Sequence, residues 1–373
     1  VKRFLLVFVS ALLVTGCSTI KGDLPNDRFV QPVPKQAPSS IVLQLDSPSI
    51  GDVVVSDDGE YAYVALSTDK GKSLSNEIHK IHLRSKKRES IFKSDYKAAT
   101  IGELQVNANW MVWSESRDQG SGEMVWARNQ KTGVKKKIYQ QRDDDINHIR
   151  RLSTLVGDSV IMAYETQSNK HVEVKRIDLN TFKEKDLVQY AYSDKSHDIK
   201  MDGEQDRLIW TDFKDGTGMF QLYDLKSGKQ STITDGLKGW RPGYVRAFNQ
   251  EKVLFQKSED MDSGNATVFL YDLNKKTETL VIKGTEVNQQ ASLDGNSLFF
   301  TNESGGVEVV TVEKGAIQKW TTPHAKEGNI DSLYTSKGYF MIERNQEKEG
   351  RSVSTSLEFF KVSDYVKACT PSS

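Results

Sequence analysis

From residue 41 onward the chain alternates short apolar runs, rich in Val, Ile, Leu and aromatic residues, with clusters of Gly, Asn, Asp and Ser. No stretch sustains the 3.6-residue period of an amphipathic helix, so the pattern predicts an all-β body. Seven of these runs have one form, a turn followed by an apolar strand. Their anchor residues are Tyr61, Trp110, Val160, Leu208, Val253, Leu298 and Tyr339, separated by 49, 50, 48, 45, 45 and 41 residues. Separations of roughly 40 to 50 residues are those of four-stranded repeat units stacked around an axis. A second series follows the first. "IHLRSKK" at 81, "WARNQKTG" at 126, "IDLNTFK" at 177, "QLYDLKSGK" at 221, "LYDLNKKT" at 270, "VVTVEKG" at 309 and "FFKVSDY" at 359 each end a strand on a tight turn. In such turns Asp or Asn bonds the backbone two residues on and Gly supplies a positive φ. Each unit therefore reads as four strands.

The last unit supplies only three strands: Ile330 to Thr335, Tyr339 to Glu343 and Ser356 to Val362. "SIVLQLD", residues 40 to 46, stands before the first unit with nothing of its own to pair with. It is expected to complete the last unit and close the ring, removing an exposed sheet edge. The β domain then spans 40–363, and 364–373 is expected to be a tail.

"LYDLKSGKQSTIT", residues 222 to 234, and its relative at 270 resemble the repeat of TolB-like and WD40-like bacterial β-propellers, although the Trp-Asp ending of WD40 units is absent. The likeness spans most of residues 49 to 363. It implies a β-propeller, and the seven units counted above make the expected fold a seven-bladed one of four-stranded antiparallel blades, closed by strand 40–46. That family is defined by fold, so the resemblance implies a platform for contacts rather than one chemistry.

The N-terminal end has a different grammar. Lys2 and Arg3 precede an apolar stretch, Phe4 to Val14, too short for a membrane span and suited to an export signal. Val14-Thr15-Gly16-Cys17 resembles the bacterial lipobox, which implies a signal peptide at 1–16 and an acylated Cys17 that anchors the chain in a lipid bilayer. Residues 17–39 hold four of the eight prolines and read as an extended tether. The expected location is the bacterial cell envelope, lipid-anchored, with the β domain on the non-cytoplasmic side.

Charge and composition narrow the function. Basic and acidic residues balance at 51 each, which gives no general attraction to nucleic acid. Cys369 is the only other cysteine, so no disulfide framework is implied, and it is expected as an exposed thiol in the tail. The six histidines show no ligand spacing; His79 and His82, three apart in a strand, should face opposite sides. "SEDMDSGNAT" at 258–267 lacks the further ligands of a calcium loop, and "QRDDDINHIRR" at 141–151 reads as a charged linker. No GxSxG, HExxH or phosphate-loop pattern occurs, and no metal or cofactor is expected.

Most tryptophans lie in predicted strands, where packing between blades is the expected use. Trp240 differs, standing with Arg241 on a blade-connecting loop. The polar starts of the innermost strands, Asp52, Glu103, Arg150, His197, Arg241, Gln289 and Asp331, should line a mixed-charge, water-filled channel mouth. Together with Trp240 they form the candidate ligand surface. The expectation is a non-catalytic binding or scaffold module for an envelope protein or cell-wall glycan. The alternative is a lyase or hydrolase acting on extracellular or cell-wall polysaccharide.

Overall fold

The computed structural model describes residues 39–369 apart from 69–73, 97, 118–120, 142–147, 167–170, 192–200, 205, 215–216, 234–240, 249–250, 259–265, 285–290, 296, 302–306, 314–315, 322–329 and 349–350. The described strands form seven four-stranded antiparallel sheets. The first holds β2 (Ile50–Val55), β3 (Tyr61–Leu66), β4 (Glu77–His82) and β5 (Arg88–Lys93), and the second β6 (Thr100–Val106), β7 (Trp110–Arg117), β8 (Ser121–Asn129) and β9 (Lys135–Gln140). Four more follow in chain order, from β10 (His148–Val156) to β13 (Glu184–Ala191), β14 (Met201–Glu204) to β17 (Gln230–Ile233), β18 (Arg241–Phe248) to β21 (Thr277–Gly284), and β22 (Ala291–Asp294) to β25 (Ala316–Thr321).

The last sheet has β26 (Ile330–Ser336), β27 (Tyr339–Lys348) and β28 (Arg351–Lys361), with β1 (Ile41–Leu45) as its outer strand. Ile41 pairs with Phe359 and Leu45 with Thr355, which is the pairing expected of residues 40 to 46. The first strand of each sheet lies against the first strand of the next, and β26 lies against β2. The sheets therefore stand around one axis.

Strand alternation explains the core. Each sheet buries side chains against its neighbour, as when Tyr63, Ile78 and Phe92 of the first sheet meet Leu104, Met111 and Trp113 of the second. Leu43, Leu45, Met341, Leu357 and Phe359 of the last sheet pack in the same way on Val53, Val55 and Val64 of the first. Trp113 and Trp126 stack with centroids 6.3 Å apart, and Trp210 is fully buried, so these indoles serve packing.

The turns between third and fourth strands behave as their composition requires. Asp224 accepts the N–H groups of Lys226 and Ser227 at 3.1 and 2.7 Å, and Gly228 holds φ 67°. Lys276 occupies the matching position at φ 56° without being glycine. The C-terminal segment departs from expectation. Val362–Cys369 is a helix, α1, rather than a tail. Tyr365 is fully buried against Phe299, Phe340 and Phe360, and Val362 packs beside it, so an apolar stripe at helical spacing caps the last two sheets.

Two outcomes test this account. Removing residues 40–46 should lower the thermal midpoint of the whole domain, whereas removing 18–35 should leave it nearly unchanged. Gly228→Ala should destabilise by about 1 kcal/mol and Lys276→Gly should stabilise by a smaller amount, both read from denaturant midpoints.

Candidate functional site

Three of the first strands carry one local motif. Val55 opposes Ala62, Val106 opposes Met111 and Thr335 opposes Phe340, each just before the first turn of its sheet. Counting back from these pairs aligns Ile50-Gly51-Asp52, Ile101-Gly102-Glu103 and Ile330-Asp331-Ser332. The register shifts at every one of them, between Ile50 and Asp52, Gly102 and Gln105, and Ile330 and Ser332. A bulge re-aims the side chains around it and frees backbone N–H groups from the ladder.

Asp52 uses such a freed group. One carboxylate oxygen accepts Leu104 N–H of the second sheet at 2.7 Å, and the other accepts Val53 N–H at 2.8 Å. Although the residue is partly exposed, its carboxyl group is crowded on all sides, and this desolvation pushes its pKa up to about 6 against the two hydrogen bonds. Gly51 makes the approach of the two sheets possible, because a Cβ there would lie 2.5 Å from the Ile101 carbonyl oxygen and collide with Ser75. Glu103 is exposed and left-handed at φ 52°, a conformation costing a glutamate on the order of 1 kcal/mol.

At the other side of β2 the last sheet supplies a second buried carboxyl. Glu343 on β27 is 1% exposed and stands opposite Ser332. It accepts the Tyr334 hydroxyl at 2.9 Å and the Ile50 N–H of the first sheet. Burial pushes its pKa up to about 7, with the Asp331 charge adding to the rise. Burial and then the Glu343 charge raise the Tyr334 phenol, and Asp52 lies near enough to contribute. Exposed Asp331 accepts Asn345 Nδ2 at 2.6 Å. The Thr355 hydroxyl lies 2.8 Å from Asn345 Oδ1 and 3.0 Å from the Ser47 carbonyl, which belongs to the link between β1 and β2. A polar network thus runs from the last sheet across the closing seam to the first, and through Asp52 to the second.

No family model and no curated protein matches the chain. Solved structures do. TolB from Acinetobacter baumannii aligns over 76% of this chain and 66% of its own length, at 12% identity and a TM-score of 0.45. The β-propeller domain of the Trilobed protease from Pyrococcus furiosus aligns over 88% and 99%, at 13% identity and a TM-score of 0.57. An oligogalacturonate lyase in complex with manganese aligns over 88% and 98%, at 8% identity and a TM-score of 0.55. The fold is a β-propeller.

In this propeller Asp52, Glu103 and Asp331 lie near the starts of adjacent innermost strands, with Asp331 level with the two glycines rather than with the other acids. Instead of a uniformly water-filled mouth, Asp52 turns into the structure. Arg150 lies on β10 opposite Tyr164 and Arg241 opens β18 opposite Ser258. Cys17, His197, Trp240 and Gln289 lie outside the described residues. Glu343, Tyr334 and Ser332 were not candidates from sequence. The available signal was a glutamate ending the apolar run "YFMIE" at a position that strand alternation turns inward. His79 is buried 3.5 Å from Glu77, with its pKa lowered by that burial, and His82 packs edge-on against Tyr61. These two histidines therefore face apart, and no group of three metal-ligating side chains occurs among the described residues.

Because the folded state raises the pKa of Glu343 and Asp52, it binds protons more tightly than the unfolded chain does. Their contribution is most favourable below the ordinary carboxylate range and is lost as pH rises through about 6 and about 7. Thermal midpoints should fall between acidic and neutral pH. Glu343→Gln, which keeps an acceptor for Tyr334, should flatten that slope and stabilise the protein at pH 8 by on the order of 2 kcal/mol.

Proposed function

We propose that the chain is a lipoprotein of the bacterial cell envelope, anchored by acyl chains on Cys17 and carrying a seven-bladed propeller closed by β1. Its role is that of a non-catalytic platform that binds another envelope protein or a cell-wall glycan. The observation that favours this reading is the use made of the two buried carboxyls. Asp52 and Glu343 direct their oxygens at backbone N–H groups and a phenol of neighbouring strands, so they tie blades together rather than converge on a common reacting atom.

A second reading, an enzyme acting on extracellular or cell-wall polysaccharide, is favoured by the same residues seen as acids. Carboxyls with pKa values of about 6 and about 7 are poised for proton transfer near neutral pH. The oligogalacturonate lyase shows that a related architecture accommodates such a reaction.

Metabolic labelling with a clickable fatty acid should mark the wild-type chain and not Cys17→Ser, and equal labelling would remove the anchor. Crosslinking in intact cells should capture a discrete envelope partner, with capture weakened by Trp240→Ala and Arg241→Ala in a protein that still unfolds cooperatively. Purified protein that depolymerises a panel of cell-wall and extracellular glycans, and loses this activity in Glu343→Gln, would replace the platform with the enzyme.

A further inference from the structure

The chain is neutral overall, but its cations are unevenly placed. Arg84, Lys86, Lys87 and Arg88 of the first sheet and Lys131 and Lys136 of the second are all exposed, on the turns after the third strands and the strand starts beside them. None of the six forms an ion pair with a described residue. Elsewhere several lysines are ion-paired, Lys175 with Glu173 at 3.4 Å, Lys275 with Asp272 at 3.5 Å and Lys337 with Asp57 at 2.8 Å. Lysine on an outer strand is often protection against edge pairing. That need does not account for the cluster, because β13 mixes Glu184, Lys185 and Asp186 and β17 carries no charge at all.

The position of these cations relative to the chain's entry is informative. The turns after first and third strands lie at one end of each sheet, since Leu83 N–H bonds the Glu60 carbonyl at 2.8 Å and Gln130 N–H bonds the Asn109 carbonyl at 2.7 Å. In the last sheet Val362 N–H bonds the Gly338 carbonyl at 2.9 Å, and β1 begins opposite Phe359. Ile41 is therefore at that same end. β1 therefore enters the propeller on the face that carries these cations, at the blade next to theirs, where the six outnumber the exposed acids Asp57, Asp58, Glu60 and Glu89 of the first sheet.

We infer that this basic edge of the first two blades docks on anionic lipid headgroups of the membrane in which the N-terminal segment is anchored, fixing the propeller's orientation. The inference rests on the anchored reading above. A lipid chain combined with a polybasic surface holds a protein more durably than either alone, and cations spread over an open edge suit a charged plane better than a small ligand.

The test is lysine acetylation footprinting of the full-length acylated protein on phosphatidylcholine vesicles with and without phosphatidylglycerol. Lys86, Lys87, Lys131 and Lys136 should react about fivefold more slowly on the anionic vesicles, and the protection should disappear in high salt. Lys93, at the opposite end of β5, should be unaffected. Floating with the vesicles but reacting equally on both would overturn the docking surface. Failure to float with neutral vesicles would instead overturn the anchor, and the anionic vesicles would still report on the basic edge. Protection by a soluble polyanion equal to that by the vesicles would also contradict a membrane-docking role.

Discussion

Everything in this propeller depends on the antiparallel pairing of β1 with β28, which joins the two ends of the β domain in a single sheet. Each sheet hides its faces against two neighbours, so a ring open at one seam would expose two apolar faces at once. At the seam these faces carry Leu43, Leu45, Met341 and Phe359 on one side and Val53, Val55 and Val64 on the other. Backbone bonds of the added strand fix the register, and the buried side chains supply most of the stabilisation, at about 25 cal/mol per Å² of apolar surface removed from water. The same seam is pinned at its two ends, by Thr355 to the Ser47 carbonyl and by the Tyr339 hydroxyl to the Gly59 carbonyl.

The polar network follows from this closure. Where β2 leaves the link from β1, the bulge at Ile50 releases an N–H group from the ladder, and a buried donor left unpaired costs more than an acceptor brought to meet it. Glu343 meets it, with Tyr334 occupying the same carboxylate. Burying a charge there is unfavourable, which is why the carboxyl retains its proton to about pH 7. The repeated motif reuses the arrangement one blade on, where Asp52 meets Leu104 N–H. The residues that hold the blades together are thus also carboxyls whose pKa is raised toward neutrality, and the platform and enzyme readings begin from the same side chains.

Much of the architecture was legible in the chain. The seven anchor residues from Tyr61 to Tyr339 all fall at the first or second position of the second strand of their sheets, because a turn followed by an apolar run is a local signal. The orphan strand at 40 to 46 was readable because the last unit lacked one. Other features were hidden for physical reasons. The helix Val362–Cys369 is short, and its apolar stripe acquires meaning only beside Phe340 and Phe360. Glu343 reads as one more charged strand end until the closed ring brings Ile50 against it. Asp331 and Asp52 look equivalent as polar starts of innermost strands, but the pairing of Thr335 with Phe340 and of Val55 with Ala62 sets Asp331 level with Gly51 and Ser332 level with Asp52.

Amide hydrogen exchange under native conditions tests the closure most directly. If β1 is an integral part of the ring, the inward-bonded amides of residues 41–45 should exchange as slowly as those of Met111 to Trp113 in β7, and only through unfolding of the whole domain. Exchange of residues 41–45 in a separate, faster step, with β28 and the rest of the domain still protected, would contradict it.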